Sequence, residues 1–188
     1  MPDVSLHFGL TSFAALAMLG VSTYTDLKSR EIPNEAVVAG TAAGLVLWTA
    51  FHGFSGTLTA FSGGAVGLGV FLLMALLGAM EMGDVKLMGA LGTLLGWPLV
   101  LAGLMHVVMA GFFFAIFWVM AHGHLKRTLL NLKTALVTWL RPGSPRVKLS
   151  ELPTTPLPYG VAIALGGIWT LAAVLVPEIN LLSSIFAP

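Results

Sequence analysis

Few side chains in this sequence can do bond-breaking chemistry, and two aspartates are the best placed of them. The eight acidic residues include three aspartates. Asp3 and Glu178 fall in the terminal segments, whereas Asp26 stands in Tyr24-Thr25-Asp26-Leu27-Lys28 and Asp84 in Glu81-Met82-Gly83-Asp84-Val85-Lys86. Two carboxylates that meet in a poorly solvated site cannot both ionise readily, so they share a proton and titrate as a coupled pair. The ionised member can then activate water as general base while the protonated member polarises a carbonyl. That is peptide hydrolysis without a metal or a covalent intermediate. Each aspartate also has an ordinary explanation. Asp84 follows a glycine and precedes an apolar run, as a helix cap does, and Asp26 can pair with Lys28 or Arg30.

Competing chemistries have less to work with. Cysteine is absent, which removes disulfides, thiol nucleophiles and cysteine-ligated zinc. The five histidines are scattered: His7, His52 and His106 stand alone, and only His122 and His124 are close, without an accompanying acid pattern. Neither a catalytic metal nor another cofactor is expected.

The elements that must position the two aspartates are apolar. Hydrophobic residues make up 57% of the 188 and charged residues 9%, against about 25% charged in an average soluble domain. The expectation is an all-α polytopic membrane protein, its residues 1–188 forming one membrane-embedded domain. A transmembrane helix needs about 20 apolar residues, and the apolar runs predict six spans near 6–24, 34–52, 57–80, 85–96, 99–121 and 159–176. The fourth is short, reaching about 18 Å against a hydrocarbon core of about 30 Å. It is expected to be half-length, tilted or buried. Gly96-Trp97-Pro98 breaks the run between the fourth and fifth spans. No Lys or Arg precedes Leu6, so the first segment reads as a retained span rather than a cleaved signal.

Charge placement supports that count. With six spans, the loops at 25–33, 81–86 and 122–158 share one side and hold all nine Lys and Arg residues. Five spans would put Lys126, Arg127, Lys133, Arg141, Arg146 and Lys148 on the other side, against the positive-inside tendency. The expected topology therefore has a cytoplasmic loop at 122–158, both termini periplasmic, and Asp26 and Asp84 together on the cytoplasmic face. Within the long loop, Leu125, Leu129, Leu132, Leu136 and Leu140 recur at helical spacing, which predicts an amphipathic helix on the anionic leaflet. Membrane lipids are expected partners and nucleic acid is not. Gly40 with Gly44, Gly63 with Gly67, and Gly92 with Gly96 are small-residue pairs that let helix backbones approach.

The polar stretches resemble a family, the type IV prepilin peptidases of the GxGD aspartyl protease group. The resemblance covers most of the chain and is carried by Asp26 with Ile32-Pro33-Asn34, by Gly83-Asp84-Val85-Lys86-Leu87, and by Pro158-Tyr159-Gly160. It is closest to the short members that serve tight-adherence (Flp-type) pilus assembly in the bacterial inner membrane. The resemblance implies catalytic roles for Asp26 and Asp84, with Gly83, Lys86, Pro33, Asn34, Pro158, Tyr159 and Gly160 in support, and a prepilin or pseudopilin substrate whose leader is cut on the cytoplasmic side. Physically, Pro33 stops helix propagation, Asn34 suits an N-cap of the second span, and Pro158 with Gly160 shapes the entry of the last. Larger members carry a cysteine-bearing segment linked to N-methylation; this sequence has no cysteine, so peptidase activity alone is expected.

One position departs from the pattern: Glu81 replaces the first motif glycine. It can raise the pKa of Asp84 by like-charge repulsion or pair with Lys86, and the second is the expectation. Rival functions are an ion- or proton-coupled transporter, an intramembrane protease with other substrates, and a non-catalytic assembly factor. Transporters usually hold ionisable groups near the bilayer midplane, whereas these acids cluster at expected helix ends.

Overall fold

The computed structural model describes residues 2–121, 123, 130 and 157–175. Most of the 122–158 loop, with the expected amphipathic helix, the six basic residues, His122 and His124, lies outside the described residues, as does Glu178. The described residues form five helices and no strands: α1 (Pro2–Ser29), α2 (Asn34–Leu76), α3 (Met82–Leu95), α4 (Leu99–Ala121) and α5 (Tyr159–Leu175).

α1 runs further than expected. The polar sequence after Tyr24 stays helical because Thr25 and Ser29 return their hydroxyls to the carbonyls of Val21 and Thr25, at 3.0 Å each. Asp26 thus occupies the last turn of a helix rather than a loop. The helix stops where Arg30 takes a positive φ of 57°. Pro33, extended at φ −68° and ψ 128°, is the N-cap of α2. The capping role expected of Asn34 is not what this residue does: its Oδ1 accepts from Lys86 Nζ at 3.1 Å.

α2 is two helical arms joined at a kink. Gly53 has φ 60° and ψ −145°, and the Thr49 and Thr57 hydroxyls lie 2.8 Å apart. In a straight helix eight residues rise about 12 Å, so the chain doubles back at Gly53 into two arms, close to the expected spans 34–52 and 57–80. Both arms pack on α3. The first runs alongside it, from the Asn34–Lys86 bond to the Trp48 Nε1 donation to the Leu94 carbonyl at 3.1 Å. The second runs against it, bringing Gly63 to Gly92 and Gly67 to Met88.

α3 has 14 residues, and from Asp84 to Leu95 only Lys86 is not buried. It is the short fourth helix of the expectation, enclosed by neighbours. Glycine makes the enclosure possible: a Cβ on Gly63 would strike the Gly92 carbonyl and one on Gly92 the Gly63 carbonyl. α4 and α5 run antiparallel, with Gly103 near Thr170 and Gly111 near Ala162.

Three helices, α1 from Leu6, α2 and α4, are long and apolar enough to cross a membrane. α5, at 17 residues, falls short of that length. The protein is an all-α membrane protein. Many of its large exposed apolar residues, among them Phe13, Phe61, Phe112 and Phe117, lie on α1, α2 and α4.

Candidate active site

The end of α1, the start of α3 and the start of α5 converge at one end of the bundle, and each brings one part of the site. Asp26 is 8% exposed and Asp84 is 5% exposed. Burial of a carboxylate is costly unless hydrogen bonds or a bound proton offset it. For Asp26 the partner comes from the far end of the sequence: the Gly160 backbone N–H donates to Oδ2 at 3.0 Å. A Cβ at Gly160 would lie 2.7 Å from that same oxygen, so glycine is what permits the approach. Arg30 lies within electrostatic reach of Asp26.

Asp84 is held from its own helix. Its Oδ2 accepts the Glu81 N–H at 3.3 Å, and the Glu81 carboxylate in turn accepts the Asp84 backbone N–H. This is a capping box with both side chains acidic, and Glu81, not Asp84, is the N-cap. Burial pushes the Asp84 carboxyl up to about 7; the Glu81 N–H opposes the shift, and the Asp26 and Glu81 charges add to it. The two aspartates therefore sense one another, as a coupled pair must.

The expectation that Glu81 pairs with Lys86 gives way here. Lys86 points to Asn34, while Glu81 turns to the α3 N-terminus and acts on Asp84. Tyr159 is half-buried and within electrostatic reach of Asp84. Pro158 is buried, and its carbonyl accepts the Val161 N–H at 3.2 Å, closing the turn that presents Gly160.

A family model described as the type IV leader peptidase family matches residues 13–120. The chain belongs to this family. No curated protein and no solved structure matches it. The stretch matched to the leader peptidase family contains both aspartates but ends before α5, so Tyr159 and Gly160 join the site through the fold alone.

Sequence reasoning singled out Asp26, Asp84, Glu81, Tyr159 and Gly160, and the structure brings them together. Asn34 and Lys86 form an exposed pair alongside. Pro33 shapes the chain entering α2 and touches neither carboxylate by any hydrogen bond. Gly83 lies 3.4 Å from Ile32 through an added Cβ, an ordinary contact, so crowding at this position does not itself demand glycine. Two relationships were missed. The Gly160 N–H as a donor to Asp26 had no sequence signal, whereas the capping box did, in the spacing Glu81-x-x-Asp84.

Away from the aspartates, His7 and His52 bring their rings to 4.8 Å beside a cavity of about 250 Å³ that Trp48 and Trp97 also line. His7 and Asp26 are 19 residues apart on α1, about 28 Å along the axis, so this cluster belongs to the opposite end of the bundle. Among the described residues no group of three or more His, Asp or Glu side chains is arranged to hold a metal ion.

Proposed function

We propose that this member of the leader peptidase family is an aspartyl endopeptidase that removes the leader of Flp-type prepilins on the cytoplasmic face of the bacterial inner membrane, with Asp26 and Asp84 as its catalytic pair. The observation that carries the reading is that two buried carboxylates from separate helices form one electrostatically coupled site in a chain of this family. Asp26 is buried as well, and the Gly160 N–H it receives opposes the cost of burying its charge and so favours the ionised form. It is the base that takes a proton from water as the water attacks the scissile carbonyl. Asp84, whose burial favours the protonated form, donates a hydrogen bond to that carbonyl oxygen. The tetrahedral intermediate collapses with proton delivery to the leaving amine, and the pair returns to one shared proton.

The proposed topology counts each arm of α2 separately, giving six helical passes of alternating direction. This places Asp26, Asp84, Gly160 and the described basic residues Lys28, Arg30 and Lys86 at one, cytoplasmic, end. The extended segment of a prepilin leader would reach the aspartates there, and N-methylation of the trimmed pilin is assigned to some other protein.

Leader cleavage of a co-expressed Flp-type prepilin tests the proposal, comparing the native chain with Asp26→Asn and Asp84→Asn at matched membrane levels. Both variants are expected to leave the prepilin uncut. Processing by either one would make that aspartate a structural charge and remove the mechanism. Solute flux through proteoliposomes, abolished by the same variants and without cleavage, would favour a transporter.

A further inference from the structure

The residue that departs from the family pattern sits where it can act on the reaction. Glu81 is exposed but not loose: its carboxylate accepts the Asp84 backbone N–H, and its own N–H donates to Asp84 Oδ2. A helix N-terminus carries a partial positive charge and free N–H groups, which by themselves favour an ionised carboxylate in the first turn. At the start of α3 that tendency would strip the proton from Asp84. An acidic N-cap counters it, because the Glu81 carboxylate occupies a free N–H and places a full negative charge at the helix end. A glycine there could do neither.

We propose that Glu81 is a positioning residue for the peptidase reaction: anchored by its exchange of hydrogen bonds with Asp84, it fixes the Asp84 carboxyl in the first turn of α3 and biases the shared proton toward Asp84 rather than Asp26. The inference rests on the reading of Asp26 and Asp84 as the catalytic pair. The groups around Asp84 agree with it. From α1 come Asp26 and, beyond it, Arg30; from α5 comes Tyr159; from the start of α2 come Asn34 and the exposed Glu35; on α3 itself Lys86 is turned to Asn34. The two charges that act on Asp84 are those of Asp26 and Glu81, both negative and with no cation to offset them; the Glu81 charge also reaches Asp26, but there the larger effect of the Arg30 cation opposes it. Glu81 is the one that the reaction does not consume or regenerate.

The charge and the hydrogen bond can be separated. Glu81→Gln keeps an acceptor for the Asp84 N–H but removes the charge; Glu81→Gly, which restores the family glycine, removes both. The purified full-length protein is assayed for prepilin leader cleavage across pH, with Asp26→Asn and Asp84→Asn alongside. Glu81→Gln is expected to keep native kcat on the acid side while its alkaline limb moves down by about half a pH unit or more. Glu81→Gly is expected to show the same shift and a lower kcat at every pH. A Glu81→Gln profile that superimposes on the native one, with both aspartate variants inactive, overturns this proposal and leaves the catalytic pair standing. Cleavage by either aspartate variant instead overturns the pair and the role of Glu81 with it. Because Gln preserves the cap, the pH test survives even if the glycine variant does not fold.

Discussion

The backbone N–H of Gly160 and the Asp26 carboxylate meet at 3.0 Å across 134 residues of chain. The contact ties the first turn of α5 to the last turn of α1, and it works because Gly160 has no side chain: a Cβ would sit 2.7 Å from Oδ2 and 3.2 Å from the carboxylate carbon. Gly160→Ala must therefore move Asp26 or α5 by several tenths of an ångström. Misplacement of a reacting group on the order of 1 Å costs about 100-fold in rate. The expected result is a fall in kcat of about 10- to 100-fold with KM little changed, read from initial rates of leader cleavage. Native kcat in this variant would mean that the Gly160 contact does not set the position of the proposed base, Asp26.

The pH dependence of cleavage follows from which aspartate must hold the proton. If Asp84 is the acid, the active form has Asp84 protonated, and its carboxyl titrates at about 7. Activity should then be level on the acid side of that value and fall about tenfold per pH unit above it. A second decline at low pH marks protonation of the Asp26 base. A rate that rises through pH 7 and stays high would reverse the two assignments.

Much of this arrangement was legible in the sequence, and what was not has a physical reason. An interruption between 52 and 57 and a short α3 followed from the lengths of the apolar runs, which left α3 half-length, tilted or buried; packing against both arms of α2 is what buries it. The end of α1 was misread because Thr25 and Ser29 look like loop residues, yet in a helix their hydroxyls satisfy themselves on carbonyls one turn back. Asn34 was read as a cap because its own stretch of chain offers it nothing better; Lys86, 52 residues on, takes its oxygen instead. The same limit hid the Gly160 contact. Residue types announce which groups can do chemistry, but a hydrogen bond between distant segments depends on how the helices pack.

The raised Asp84 pKa also makes a statement about stability. The carboxyl titrates at about 7 in the folded protein against an ordinary 3.8. Between those values the folded state binds more protons than the unfolded state, so stability falls as pH rises from about 4 to about 7 and is level above. Asp84→Asn removes that ionisation while keeping an acceptor for the Glu81 N–H. It should melt higher than the native protein at pH 8, by at most about 4 kcal/mol in stability, with the gain shrinking toward pH 4. Thermal melts of the detergent-solubilised proteins at the two pH values check this. Equal melting temperatures at pH 8 would show that ionised Asp84 is accommodated without cost.

A close helix approach in the bundle gives a test of how the site is held up. Gly63 and Gly92 face each other across α2 and α3, and a Cβ on either would strike the other's carbonyl. Backbone cannot rotate aside as a side chain can, so Gly63→Ala or Gly92→Ala must push α3 away from the second arm of α2. Overpacking of this kind typically costs about 1–3 kcal/mol, and because Asp84 rides on the first turn of α3, leader cleavage should fall along with the melting temperature. The double variant carries a sharper expectation. Once one methyl has separated the helices, the second meets less resistance, so its cost should be well below the sum of the single costs, a coupling of about 0.5 kcal/mol or more. Strict additivity in that cycle would show that the two glycines act independently and that the close contact does not set the position of α3.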